Sequence, residues 1–167
     1  SGEVWSHFYF GEISTYLPDK FACYIGYNNS LAHKIEAGSD FFIMPSRFEP
    51  CGLNQMYSLK YGTIPIVRTT GGLHETVDNF NEKTLEGTGF KFDDLTADAL
   101  YNTIGWAVYT YYNNKPGMSK LIQSAMSKNF TWQDSALKYE NLYYKAVFKR
   151  KGEEAFSVPT KVVSNKR

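Results

Sequence analysis

Cysteine, net charge and long apolar runs are all scarce in this sequence, and each shortage removes a class of protein. The two cysteines among 167 residues, Cys23 and Cys51, cannot build a disulfide framework, and no cysteine or histidine spacing resembles a zinc ligand set. That usage fits a reducing compartment. Eighteen basic residues against 17 acidic leave a net charge of +1. Binding to a phosphate backbone shows as a large basic excess, so nucleic acid is not expected as the main partner. The longest strongly apolar run, residues 41–45, falls far short of the about 20 residues a membrane-spanning helix needs. No basic stretch followed by an apolar one opens the chain, so no signal peptide is expected. No repeat with a period of about 20 to 50 residues is present.

The remaining composition is that of a folded domain. Hydrophobic residues make up 43% and charged residues 21%, enough to bury a core. The length suits one domain, or half of a larger enzyme. Aromatics reach 17%, which suits carbohydrate binding and ordinary core packing alike.

Hydrophobic patterning predicts an alternation of strands and helices. Residues 3–16 read as helical or irregular, closed by Pro18. Residues 21–27 (FACYIGY) are aromatic and β-branched and end at Asn28-Asn29, a strand followed by a turn. Ser30 is placed to cap a helix over 31–37, with Gly38 as its stop. The unbroken apolar run FFIM, residues 41–44, reads as a strand covered on both faces. A helix over 53–61 ends at Gly62, and a third strand covers 63–70, although Pro65 favours an edge or a strand start. A short helix over 73–77 and a fourth strand over 88–93 follow. Thr96 is expected to cap a helix with Leu100, Ile104, Val108 and Tyr111 on one face. The run Asn113 to Gly117 breaks it. Met118, Leu121, Ile122, Ala125 and Met126 repeat the helical spacing, and Thr131-x-x-Asp134 opens a last helix like a capping box. Its apolar face is Trp132, Ala136, Tyr139, Tyr143 and Ala146. Residues 1–150 form the domain, and 151–167 a polar tail.

Strands separated by helices give an α/β domain with a parallel sheet, and such sheets bind ligands in the loops at their carboxyl edge. The loop PSRFEPCGLNQ, residues 45–55, sets Arg47, Glu49 and Cys51 just before a helix. A helix start offers unpaired N–H groups and a partial positive charge, suited to an anion or a sugar hydroxyl. Glu49 reads equally as an ordinary helix-start acid. Cys51 is the nucleophile candidate by type, but His7, His33 and His74 have no motif context that supplies a base, and a small buried hydrophobe is the plainer role. The loop TTGGLH, residues 69–74, brings paired glycines to another helix start, where a backbone can approach a phosphate closely or simply turn. Two such loops at one sheet edge aim two helix ends into one crevice, a place for a diphosphate. Tyr27 either stacks on a base or packs locally, and His33 with Lys34 suits a structural role better than a catalytic one.

The segment FFIMPSRFEPCGLNQMYSLKYGTIPIVRTTGGLHETV, residues 41–77, resembles the donor-binding half of starch synthases and bacterial glycogen synthases. The string PSRFEPCGLNQ carries most of that likeness, RTTGGL strengthens it, and GYNNSLAHKI at 26–35 extends it upstream. Weaker likeness continues through Gly89-Phe-Lys-Phe and Phe130-Thr-Trp-Gln to Tyr143-Tyr144. The resemblance implies a Rossmann-like parallel sheet with flanking helices, part of the C-terminal domain of a GT-B fold. It implies an enzyme of the glycogen or starch synthase type, a glucosyltransferase. Such an enzyme moves glucose from ADP-glucose, or UDP-glucose, to the non-reducing end of an α-1,4-glucan with retention, using neither metal nor cofactor. By position, Glu49 matches the family's essential donor-sugar glutamate. Cys51, Gly52 and Leu53 match main chain lining the glucose site. Asn54 matches a neighbour of the phosphates or ribose, Tyr27 a base-stacking position, and Thr70, Gly71 and Gly72 the second glycine turn. Related retaining transferases carry a second glutamate eight positions after the first, and this chain has Tyr57 there.

The chain also departs from that pattern. A strand and a basic Arg-to-Lys loop gripping the diphosphate, and the whole N-terminal domain, are expected upstream, so the resemblance implies a fragment. In the order 3-2-1-4-5-6, a strand ending at Tyr27 would lack a neighbour. A bacterial origin implies the cytoplasm, a plant or algal origin the plastid. The alternative is a non-catalytic module that binds nucleotide or glucan without turnover.

Overall fold

The computed structural model describes residues 3–152. The chain divides into two compact units, Ser1–Met126 and Ser127–Arg167. The first unit holds a three-stranded parallel sheet in the order β1-β2-β3, with β1 Phe41–Met44, β2 Ile64–Arg68 and β3 Phe90–Phe92. Its helices are α1 Val4–Tyr16, α2 Asn29–Ala37, α3 Asn54–Tyr61, α4 Gly71–Thr76, α5 Ala97–Asn113 and α6 Lys115–Ser127, which ends one residue past the division. The second unit holds α7, Trp132–Lys151. The polar tail expected at 151–167 lies almost wholly outside the described residues.

The expected α/β class with a parallel sheet is what forms, with one strand fewer than the pattern predicts. Residues 21–27 take no strand pairing, and all but Phe21 of them are exposed. Sheet propensity expresses packing against a neighbour rather than a backbone preference, and among the described residues this stretch has no neighbour to pair with. Aromatic, β-branched composition was therefore an insufficient signal. The smaller departures have local causes. Asn28, not Ser30, caps α2: its side-chain oxygen accepts the Leu31 N–H at 3.0 Å, so the helix starts two residues early. Thr96 caps α5 as expected, through the Ala99 N–H at 3.2 Å. The break between α5 and α6 narrows to Asn114, whose side chain accepts the Gly117 N–H at 2.9 Å and restarts the helix at once. Thr131 precedes α7 but its hydroxyl makes no capping bond.

Gly62 ends α3 in the left-handed region at φ 79°, with its N–H on Leu59 O and the Thr63 N–H on Ser58 O. That pair of bonds is the helix stop that glycine favours, because a Cβ would be strained there. It turns the chain straight into β2, buried from Ile64 to Val67. Leu59, Ile64, Ile66, Phe80, Phe90, Ala107, Met118, Leu121 and Ala125 form the main core, closed by Phe41, Ile104 and Trp106. On α5 the fully buried positions are Thr103, Ala107 and Thr110, so the stripe is offset from the one the apolar residues mark, and Val108 is exposed. Thr103 and Thr110 turn their hydroxyls back onto the carbonyls of Ala99 and Trp106, at 2.8 and 2.9 Å. That is how a polar residue tolerates burial on a helix.

Pro65 sits inside the central strand, where a missing N–H should break a ladder. Donors alternate along a strand, and here Ile64 N–H points to Asp40 on the β1 side while Thr69 N–H reaches Phe92 on the β3 side. By that alternation the absent donor of Pro65 faces β3, whose pairing begins only at Ile66–Phe90. The proline therefore costs the sheet no bond.

Candidate functional site

The two loops singled out from sequence leave the carboxyl ends of the adjacent strands β1 and β2, and the structure locks them together through main chain. The Gly72 N–H donates to Glu49 O at 3.2 Å. A Cβ on Gly71 would collide with the Glu49 carbonyl oxygen, and one on Gly72 with the carbonyl group of Cys51. Gly71 also lies at φ 44°. The paired glycines are therefore present because the first loop occupies the space where side chains would stand. Glycine as mere tight-turn filler does not account for this contact.

Within that frame several polar groups are left uncommitted. The half-buried Glu49 has its carbonyl engaged, yet its carboxylate makes no hydrogen bond or ion pair among the described residues. Gly52 (φ 73°) is followed by Leu53 in right-handed geometry (φ −111°, ψ −34°), and no side chain caps α3. Successive residues of opposite hand make their N–H groups converge into an anion-binding concavity. The N–H groups of Gly52, Leu53, Asn54 and Gly71 find no acceptor among the described residues. Leu53 and Asn54 are exposed and Thr70 half-buried. The arrangement can accept negative charge at a helix start and leaves one free carboxylate beside it.

Cys51 is exposed and free, with its sulfur 3.5 Å from Gly52 O. His33 instead lies against the Tyr57 and Tyr61 rings, with Nδ1 3.3 Å from the Tyr61 hydroxyl. His74 faces Lys91, whose Nζ is 3.2 Å from Nδ1. Neither ring is bonded to the thiol, which leaves the nucleophile reading without a base. His33 and Tyr57 instead join α2 to α3. Tyr27 is 92% exposed, and among the described residues no hydrogen bond or ring contact joins it to the other candidate residues. Among the described residues no group of three His, Cys, Asp or Glu side chains is placed to hold a metal, and no helix is long and apolar enough to cross a membrane.

Sequence reading missed how side chains hold the loops, and took Arg68 only as a cation that the donor's phosphates would face. Arg68, at the end of β2, donates to Arg47 O at 2.9 Å, Ser46 O at 3.3 Å and Asp93 O at 3.2 Å. Its guanidinium thus ties three strand-end segments together. Gln55 is fully buried, and its amide nitrogen reaches Cys51 O, Gly52 O and the Thr76 hydroxyl. The available signal was spacing. A glutamine three and four residues beyond Gly52 and Cys51 lies one helical turn away, within reach of both carbonyls.

No protein-family model matches the chain. It is 62% identical over 157 residues to glycogen synthase 1 of Geobacter metallireducens, covering 94% of this chain and 31% of that protein. It is 57% identical over 150 residues to the glycogen synthase of Treponema denticola, covering 90% and 30%. Among solved structures, the catalytic domain of starch synthase IV from Arabidopsis thaliana, bound to ADP and acarbose, superposes with a TM-score of 0.73 at 35% identity. That match covers 83% of this chain and 29% of the other. A sucrose-phosphate synthase from Thermosynechococcus elongatus shares the fold, with a TM-score of 0.60 at 20% identity. The chain therefore spans about a third of the length of the relatives it matches.

Proposed function

The chain belongs, over the residues aligned above, to the glycogen synthase and starch synthase family, and from that premise we propose that it forms the donor-binding part of a retaining glucosyltransferase. The enzyme moves glucose from a nucleotide diphosphate sugar to the non-reducing end of an α-1,4-glucan. One observation carries the reading: two interlocked glycine turns at adjacent strand ends leave convergent N–H groups and a free carboxylate. ADP in the Arabidopsis neighbour supports ADP-glucose as the donor, and the bacterial relatives support a cytoplasmic setting. In this reading residues 1–150 are the donor domain and 151–167 a tail, and the remaining two thirds of the family's length supply the acceptor surface.

The roles follow from charge. Departure of ADP builds negative charge on the diphosphate, and preorganised donors aimed at developing charge are commonly the largest catalytic term. The uncommitted N–H groups of Gly52, Leu53 and Asn54, with that of Gly71 on the second turn, receive that charge without a metal, and Thr70 and Gly72 shape that turn around it. Glu49 fixes the glucose hydroxyls and responds electrostatically to the oxocarbenium-like centre. Cys51 is a wall of the sugar site, and Tyr27 stacks beside the base.

The test is an exchange of segments. Residues 3–152 replace the matching segment of the Geobacter metallireducens enzyme, and labelled ADP-glucose and UDP-glucose are offered with a maltooligosaccharide. Transfer from ADP-glucose supports the proposal. Nucleotide or glucan binding with no transfer in a folded chimera overturns it in favour of a binding module. The 167-residue chain alone is expected to be silent.

A further inference from the structure

We propose that Gln55 and Thr76 are positioning residues that set the two glycine turns relative to one another; this rests on the reading that those turns hold a nucleotide sugar. Gln55 Nε2 lies 2.9 Å from Cys51 O, 2.9 Å from Gly52 O and 3.2 Å from Thr76 Oγ1. The Thr76 hydroxyl donates in turn to Gly72 O at 2.5 Å. One unbroken series of bonds thus runs from the carbonyls of the first turn, through two side chains, to the second turn. It is built within the molecule, since Gln55 is fully buried.

Peptide geometry gives the series its consequence. In a trans peptide the C=O and the following N–H point in opposite directions. Pinning Cys51 O and Gly52 O onto Gln55 therefore aims the N–H groups of Gly52 and Leu53 the other way, and these are among the donors left uncommitted. Holding Gly72 O on Thr76 likewise fixes the Gly72–Leu73 peptide within the second turn, whose Leu73 N–H donates to Thr70 O at 3.1 Å. The acceptor half of the amide shows what is being kept. Among the described residues Gln55 Oε1 is buried with no partner, an arrangement that costs stability. An apolar side chain would avoid that cost but could not hold both carbonyls. The side chain is retained for its donors.

The variants are made in the segment-exchange enzyme and in the 167-residue chain. In Gln55→Glu, a carboxylate offers only acceptors to the two carbonyls, whereas the protonated acid regains one O–H donor, and burial favours protonation. Transfer is expected to fall at least tenfold at pH 7.5 and to recover in part towards pH 5.5 relative to the parent. Thr76→Val should lose a similar factor, Thr76→Ser should restore it, and the double variant Gln55→Glu/Thr76→Val should be no worse than the poorer single one. Parent-like kinetics for Gln55→Glu at pH 7.5, or equal impairment of the Val and Ser variants, overturns the proposal. Should Gln55→Glu not fold, the Thr76 pair decides. In the chain itself, amide exchange at Gly72 should quicken at least tenfold in Thr76→Val and not in Thr76→Ser. Absence of that difference also overturns the proposal. A silent parent enzyme with the exchange difference present would refute the glucosyltransferase reading alone.

Discussion

Strand β1 and residues 21–27 are both short, apolar and rich in aromatics, yet one is a paired element of the sheet and the other an exposed, unpaired stretch. The difference lies in their neighbours. Phe41 to Met44 align residue by residue with Ile64 to Val67 of β2, while residues 21–27 have no such partner among the described residues. Composition makes a strand possible, and a partner's N–H and C=O groups make it exist. The same contrast runs through the candidate site. Its half at the ends of β1 and β2 is held by main-chain contacts, whereas the Tyr27 half hangs from the unpaired stretch.

The strongest way to break the held half is to separate its loops. Gly72→Ala puts a methyl group into the Cys51 carbonyl, where only backbone can give way. It should destabilise the fold by at least about 3 kcal/mol, read as a lowered midpoint in denaturant. A parent-like midpoint would show that the loops are looser than their packing implies. Next, Glu49→Ala in the segment-exchange enzyme should keep the fold and cost roughly 3 kcal/mol of transition-state stabilisation, about a hundredfold or more in rate. Near-normal turnover by the folded variant would remove Glu49 from the chemistry.

Tyr27→Ala sharpens the contrast from the other side. An exposed ring without partners should change stability by less than about 0.5 kcal/mol, while loss of base stacking, about 1–3 kcal/mol, should raise the donor KM about tenfold. A large loss of stability would mean that the unpaired stretch is held after all.

The smallest effect belongs to α2, which joins the two regions. Burial pushes the Glu36 carboxyl above its usual value, and His33 partly offsets this. A carboxyl with a raised folded pKa is protonated more readily when folded, so its stability is full below the unfolded value. That stability is lost as pH rises through the folded one. Glu36→Gln should therefore raise the melting temperature slightly at pH 7 and lose that advantage below about pH 4.5. A gain that persists undiminished at pH 4 would point to a cause other than ionisation.

Most of the sheet and both glycine loops were legible in sequence because their signals are local. FFIM is an unbroken apolar run, and Gly62 and the pair Gly71-Gly72 mark turns. Residues 21–27 misled because pairing is a property of two segments and the pattern records one. The loop-holding roles of Gln55, Thr76 and Arg68 escaped notice for a different reason, Arg68 reading only as a cation facing the phosphates. Each is a polar residue whose role is to meet carbonyls brought near by the fold, and no periodicity in residue type announces that.

Pro65 also governs how the sheet can assemble. Sliding β3 by one residue would turn Phe90 and Phe92 out of the core, so hydrophobic pattern alone forbids it. A slide of two keeps both rings inward, and pattern is blind to it. Thr69 N–H meets Phe92 O one residue past the Arg68–Phe92 pair. If Phe90 were moved back to face Ile64, its carbonyl would meet the ring of Pro65, which has no hydrogen to give. That misalignment is penalised by an unmet carbonyl in the interior. A residue that looks like a flaw in the central strand therefore acts as proofreading, rejecting from one direction the single mistake that the apolar pattern cannot detect.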